Sequence, residues 1–157
     1  MAATRNSRSP DLPRRIADRL AALLGAAAPA ASTASPHPLA LTVALSGGRD
    51  SVALLAALAS LAPLRGWHLA AVHVHHGLSP RADAWAEFCA SLCARLGVPL
   101  QVHRVQVPGQ RREGLEAAAR EARYAVFAGV AADALILGHH RDDQAETLLF
   151  NLLRGAG

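Results

Sequence analysis

Ser46-Gly47-Gly48-Arg49-Asp50-Ser51 is the stretch of this sequence whose residue types and spacing best suit chemistry on a phosphate. Adjacent glycines let the backbone take positive φ and approach a ligand closely. Ser46 and Ser51 add hydroxyls and Asp50 a carboxylate, and an apolar run precedes the loop while an Ala/Leu-rich helical stretch follows it. That is how a buried strand, a phosphate-sized turn and a helix N-terminus read in sequence, and an anion is favoured there. The loop is not the Gly-x4-Gly-Lys-Ser/Thr type. The chain contains no lysine, and all 16 of its basic side chains are arginine.

A second rich stretch is Gly138-His139-His140-Arg141-Asp142-Asp143-Gln144-Ala145-Glu146-Thr147. Asp142 and Glu146, four apart, project from one helix face, Asp143 neighbours Glu146, and acids in a first turn are favoured by the helix dipole. Oxygen donors of this kind beside a phosphate suit Mg²⁺. A charged, capped helix start is the plainer explanation, against which the adjacent histidine pair weighs. A dedicated zinc site is disfavoured, because neighbouring strand-end residues such as His139 and His140 point in opposite directions.

Two further stretches supply candidate groups. Arg120 and Arg123 share a helix face, and Glu116 can pair with Arg120 across one turn. Alone this is a solvated face; beside a phosphate loop, an arginine here can neutralise pyrophosphate. His73 and His75 share one strand face, while His76 lies on the other and precedes Gly77, at a turn against which a nucleotide base can lie.

The elements that must position these residues alternate regularly. Strands are expected over 39–45, 67–75, 99–107 and 134–138, and helices over 50–61, from 79 or 81 to 96, over 115–131 and over 142–153. Pro63 and Gly66 are expected to end the first helix, and Ala84, Phe88, Leu92 and Leu96 to form the core stripe of the second, with Gly97 its C-cap. Such βα units predict an α/β fold, a doubly wound parallel sheet with right-handed crossovers and ligands at the carboxyl ends of the strands. Those ends carry Ser46 to Ser51, the His73 to Gly77 stretch and His139 to Glu146, together with Arg104, Arg111 and Arg112 near the third strand.

Composition sets the outer limits. At 157 residues and 52% hydrophobic there is room for one domain with a proper core. A formal charge of +4 is too small an excess to demonstrate a polyanionic partner. Cys89 and Cys93, spaced i and i+4 with no second pair, read as small helical core residues and as reduced thiols that fit a cytoplasmic protein. No apolar run is long enough to span a membrane. Upstream, residues 1–38 read as an N-terminal extension. It holds a polar start, a short amphipathic helix with Ile16, Leu20, Leu23 and Leu24 on one face, and an Ala/Pro/Ser/Thr linker over 25–38. A signal peptide is disfavoured by Asp18 and Arg19 beside the apolar run.

The 46–51 loop resembles the pyrophosphate loop of the N-type ATP pyrophosphatases, the PP-loop superfamily with the adenine nucleotide alpha hydrolase-like fold. With residues 71–78, 114–124, 139–147 and the closing Arg154-Gly155-Ala156-Gly157, the order of motifs closely resembles the tRNA(Ile)-lysidine synthetase family. The resemblance covers 39–157 and implies an ATP-binding catalytic domain there. It implies that ATP adenylates the C2 carbonyl of the wobble cytidine of tRNA(Ile), releasing pyrophosphate, and that free L-lysine displaces AMP. It implies ATP binding by Ser46, Gly47, Gly48, Asp50, Ser51, His76 and Gly77, and Mg²⁺ bound by Asp50, Asp143 or Glu146. Arg120, Arg123 and His140 would stabilise charge or place the base. Family members continue past the Arg-Gly-x-Gly turn, so the domain is expected to be C-terminally incomplete, lacking its last strand and the tRNA-gripping domains, with little or no turnover alone. The rivals are a tRNA thiolation enzyme, which would need paired loop cysteines, and a non-catalytic ATP-binding module, which would need no second acidic wall.

Overall fold

The structure, a computed structural model, describes residues 38–107 and 112–138, together with the helical positions Arg15, Asp18, Arg19 and Ala22. In chain order the elements are β1 (Ala40–Ala44), α1 (Arg49–Arg65), β2 (His68–His75), α2 (Ala82–Leu96), β3 (Leu100–Arg104), α3 (Arg112–Ala128) and β4 (Ala134–Leu137). The strands form one parallel sheet in the order β3-β2-β1-β4. The chain steps outward from β1 through β2 to β3, then returns past both to place β4 on the other side of β1. This reversal makes a crevice between the carboxyl ends of β1 and β4, the place where open parallel sheets bind ligands.

Period-two alternation decides what each face meets. Val43, Leu45 and Ala71 turn to one face and bury against Leu55 and Leu58 of α1 and Cys89, Leu92 and Cys93 of α2. Each leucine so enclosed contributes about 1.5–3 kcal/mol relative to exposure. On the opposite face Thr42 and Val72 are buried, and so is Ala119 of α3. Arg123 and Phe127 of α3 line one cavity with Ala44 and Val72, so this helix lies over the second face.

The expected βα rhythm is present, with differences that have physical reasons. Helix α1 does not end before Pro63 but runs on to Arg65, and Gly66 at φ 66 closes it by donating its N–H to the Ala62 carbonyl. The proline forfeits one intrahelical bond with its ring exposed, while Leu58, Leu61 and Ala62 hold the buried side of the same turn. The core stripe of α2 is not Ala84 and Phe88: Ala86, Cys89, Leu92 and Cys93 are buried, and Phe88 is 42% exposed. The small thiols let the helix lie close to Ala71 and His73, which rotates the bulky ring outward. Strand β3 stops at Arg104 rather than reaching 107, because its partner β2 ends at His75, with a last bond from Val105 N–H to the His75 carbonyl. Helix α3 starts and ends three residues earlier than expected. Arg15, Asp18 and Arg19 are exposed, as expected of polar helix faces, whereas Ile16, Leu20, Leu23, Leu24 and the 142–153 helix lie outside the described residues.

Candidate functional site

The 46–51 loop begins where β1 leaves the sheet. Leu45 N–H still bonds the Val72 carbonyl at 2.8 Å, and the Leu45 carbonyl accepts a 2.7 Å bond from His73 Nδ1, which therefore carries the ring proton. Gly47 then turns at φ 85, a conformation that side chains other than glycine rarely adopt. The serines lock the turn. Gly48 N–H donates to Ser46 Oγ at 3.2 Å, Ser51 Oγ donates to the Gly48 carbonyl at 3.0 Å, and the two hydroxyls lie 3.0 Å apart. One proton arrangement serves all three bonds, with the Ser46 hydroxyl donating to Ser51. Gly48 caps α1 without a side-chain bond, so the first-turn amides face outward as a potential anion seat.

The opposite wall comes from β4. A Cβ on Gly138 would lie 3.0 Å from Ser51 N and Cα, so only glycine lets the end of β4 approach the first turn of α1 this closely. Between these walls opens a cavity of about 370 Å³, within the usual range for small-ligand sites. Ser46, Gly48 and Ser51 line it from the loop, His75, His76 and Ser79 from the end of β2, Trp85 from α2, and Arg123 and Phe127 from α3. Partial burial, and then the charge of Arg123, hold the His76 imidazole below its ordinary pKa, so it is neutral at pH 7, and its buried Nδ1 has no hydrogen-bond partner among the described residues.

The structure thus brings together Ser46, Gly48, Ser51, His76 and Arg123. Gly47 supports the loop from behind, Asp50 stands exposed in the first turn of α1, and Gly77 makes the turn after His76 at φ 67. Arg120 is not among the residues lining the cavity; it is exposed, with its guanidinium 5.4 Å from the Tyr124 ring centroid. Its expected pairing with Glu116 does not form, since the ion pairs among the described residues are His75–Asp83 and Arg104–Asp83. Hydrogen bonding from Arg104 holds the Asp83 carboxyl below the usual range, and His75 Nε2 lies 3.1 Å from the same oxygen. His140, Asp143 and Glu146, with His139 and Asp142, lie outside the described residues.

Trp85 and Phe127 were not legible as site residues. The available signals were spacings: Trp85 is one turn before Cys89 on a core helix, and Phe127 one turn after Arg123.

The cysteines are core residues, as expected. Cys89 Sγ lies 3.6 Å from His73 Nδ1, and burial, then Cys93, push its thiol up to about 11, while burial also raises Cys93. Neither is poised as a nucleophile or cluster ligand. Native Cys89 should react with a disulfide reagent at pH 8 on the order of 100-fold more slowly than in the urea-unfolded chain, from its thiolate fraction alone. Comparable rates would show the thiol to be accessible and activated.

Among the described residues, no three His, Cys, Asp or Glu side chains cluster to hold a metal, and no helix is long and apolar enough to cross a membrane.

Comparison with known proteins agrees with this geometry. The chain is 57% identical over 117 residues to a tRNA(Ile)-lysidine synthase of an Azoarcus strain, covering 74% of this chain and 26% of that protein. It is 51% identical over 150 residues to the tRNA(Ile)-lysidine synthase of Pseudomonas fluorescens, covering 94% of this chain and 31% of the relative. The chain therefore spans about a third or less of the curated relatives it matches. Among solved structures, a U34-tRNA thiolase from Methanococcus maripaludis superposes with a TM-score of 0.60 at 19% identity, over 76% of this chain and 44% of that one, which speaks for a shared fold. The PP-loop domain family model matches residues 17–157, and the chain belongs to that family.

Proposed function

We propose that this chain is the ATP-binding part of an enzyme that forms lysidine on tRNA(Ile) in the cytoplasm. The observation that carries the reading is the 46–51 loop, a turn of backbone amides and hydroxyls at the sheet's switch point, opening on a cavity of nucleotide-compatible size. The names of the similar relatives support tRNA(Ile) as substrate. In this reading residues 39–157 form the catalytic domain and 1–38 an extension.

The reaction asks the site to do two things. It must hold ATP so that the cytidine C2 oxygen attacks the α-phosphorus and pyrophosphate departs, then admit L-lysine, whose amino group attacks C2 as AMP leaves. The amides of residues 47–51 and the hydroxyls of Ser46 and Ser51 bind the pyrophosphate portion, where the helix dipole favours negative charge. Arg123 offsets the charge that grows on the leaving group. His76, neutral beside it, offers a hydrogen-bonding edge to the base, and Gly77 lets the chain turn away beneath. The donors present are hard oxygens, which fit Mg²⁺: Asp50 in the first turn of α1, with Asp143 and Glu146 as further candidates. Bound there, the ion would neutralise phosphate charge. Arg120 and His140 are kept as candidates for placing the base.

The test is ATP–pyrophosphate exchange by the longer protein carrying this segment, with Mg²⁺ supplied. Exchange that requires tRNA(Ile), followed by lysine-dependent release of AMP, is expected. The same exchange followed by AMP release that depends on a sulfur donor rather than on lysine would instead indicate thiolation. ATP binding with no exchange under any of these conditions would indicate a binding module.

A further inference from the structure

Three side chains outside the loop motif hold the loop from behind. His73 of β2 bonds the Leu45 carbonyl at 2.7 Å, and Cys89 of α2 lies 3.9 Å from the same oxygen. Trp85, one turn earlier on α2, covers Gly47: a Cβ added there would meet Trp85 Cε3 at 2.7 Å, Cζ3 at 3.3 Å and Cys89 Sγ at 3.4 Å. The indole is therefore seated directly against the glycine that turns the loop, yet it is 42% exposed and lines the cavity. A large aromatic side chain left this open on a core helix contributes less burial than its size allows. The contact it does make is with the backbone whose direction decides where the loop amides point.

We propose that Trp85 is a positioning residue for the anion loop: by packing on Gly47 it holds the 46–49 backbone in the left-handed turn that aims its amides into the cavity. This rests on the reading that the loop holds the pyrophosphate portion of ATP. The role is mechanical rather than one of base stacking, so inorganic pyrophosphate, which has no ring to stack, is the suitable probe.

The experiment compares the 157-residue chain with its Trp85→Ala and Trp85→Phe variants, with Trp85→Leu in place of alanine should that variant lose its circular dichroism. Affinity for inorganic pyrophosphate is measured by calorimetry in Mg²⁺, and amide hydrogen exchange is followed at residues 46–49 without ligand. The truncated side chain should weaken pyrophosphate binding about tenfold and speed exchange at those amides by a similar factor, while phenylalanine stays within about threefold on both. Unchanged exchange and unchanged affinity would overturn the proposal. So would weaker binding with unchanged exchange, since Trp85 would then touch the anion itself. Faster exchange in a protein whose unmutated form does not bind pyrophosphate would leave the loop-holding role standing and sink the functional reading instead.

Discussion

Alanine at position 47 should abolish pyrophosphate binding within the measurable range and cost the fold about 2–3 kcal/mol. Two separate penalties act there. The backbone sits at φ 85, where a side chain strains its own peptide, and the added methyl meets the Trp85 ring at 2.7 Å. The ring is partly exposed and can swing aside, which keeps the steric share modest, but it then no longer covers the loop. Relaxing the backbone instead would rotate the Ser46 and Gly48 peptides and break the 3.2 Å bond that locks the turn. Either route misdirects the amides. Urea denaturation should show a lower midpoint at unchanged slope, and calorimetry a loss of pyrophosphate affinity of at least roughly tenfold. A variant equal to the parent chain on both counts would mean that the loop does not depend on this geometry.

Asp50→Ala should behave in the opposite manner, with chemistry lost and the fold kept. Asp50 is exposed in the first turn of α1, where a carboxylate favours the helix dipole by about 0.3–1 kcal/mol. Its proposed work is to share a divalent cation with the phosphates, and removing such a ligand costs several kcal/mol of charge stabilisation, on the order of 100-fold or more in rate. In the longer protein, ATP–pyrophosphate exchange should fall by at least that factor while the thermal midpoint moves little. The binding signature is sharper: Mg²⁺ should raise the affinity of the unmutated chain for ATP and leave that of the variant nearly unchanged. Retained Mg²⁺-dependent exchange in Asp50→Ala would remove this residue from the site.

What could be read from sequence was whatever is encoded locally. Adjacent glycines between an apolar run and a helical stretch announced the turn at Gly47, and the two-residue period of β2 separated His73 and His75 from His76. Gly66 and Gly97 both close their helices in the left-handed conformation. The α2 core stripe and the role of Trp85 were missed for one physical reason, contact between elements distant in sequence. Phe88 outranks Cys89 in hydrophobicity, but the space between α2 and β2 admits only the thiol. Trp85 could not be linked to Gly47 from pattern alone, because nothing in either segment specifies that α2 crosses behind the loop.

The strand order also favours one sequence of events in the assembly of this site. Leu45 and His73 meet across 28 residues and His75 and Arg104 across 29, whereas the bond from Ala40 to Asp133 that anchors β4 spans 93. Closing the longer span costs roughly 1 kcal/mol more in chain entropy and favours late formation. The half of the crevice made by β1, β2 and their helices, with the loop already locked by its own serines, can thus form from local contacts. The wall at Gly138 is added only when the chain has returned across the sheet, so nucleotide that bridges both walls draws the folding equilibrium toward the closed sheet by mass action.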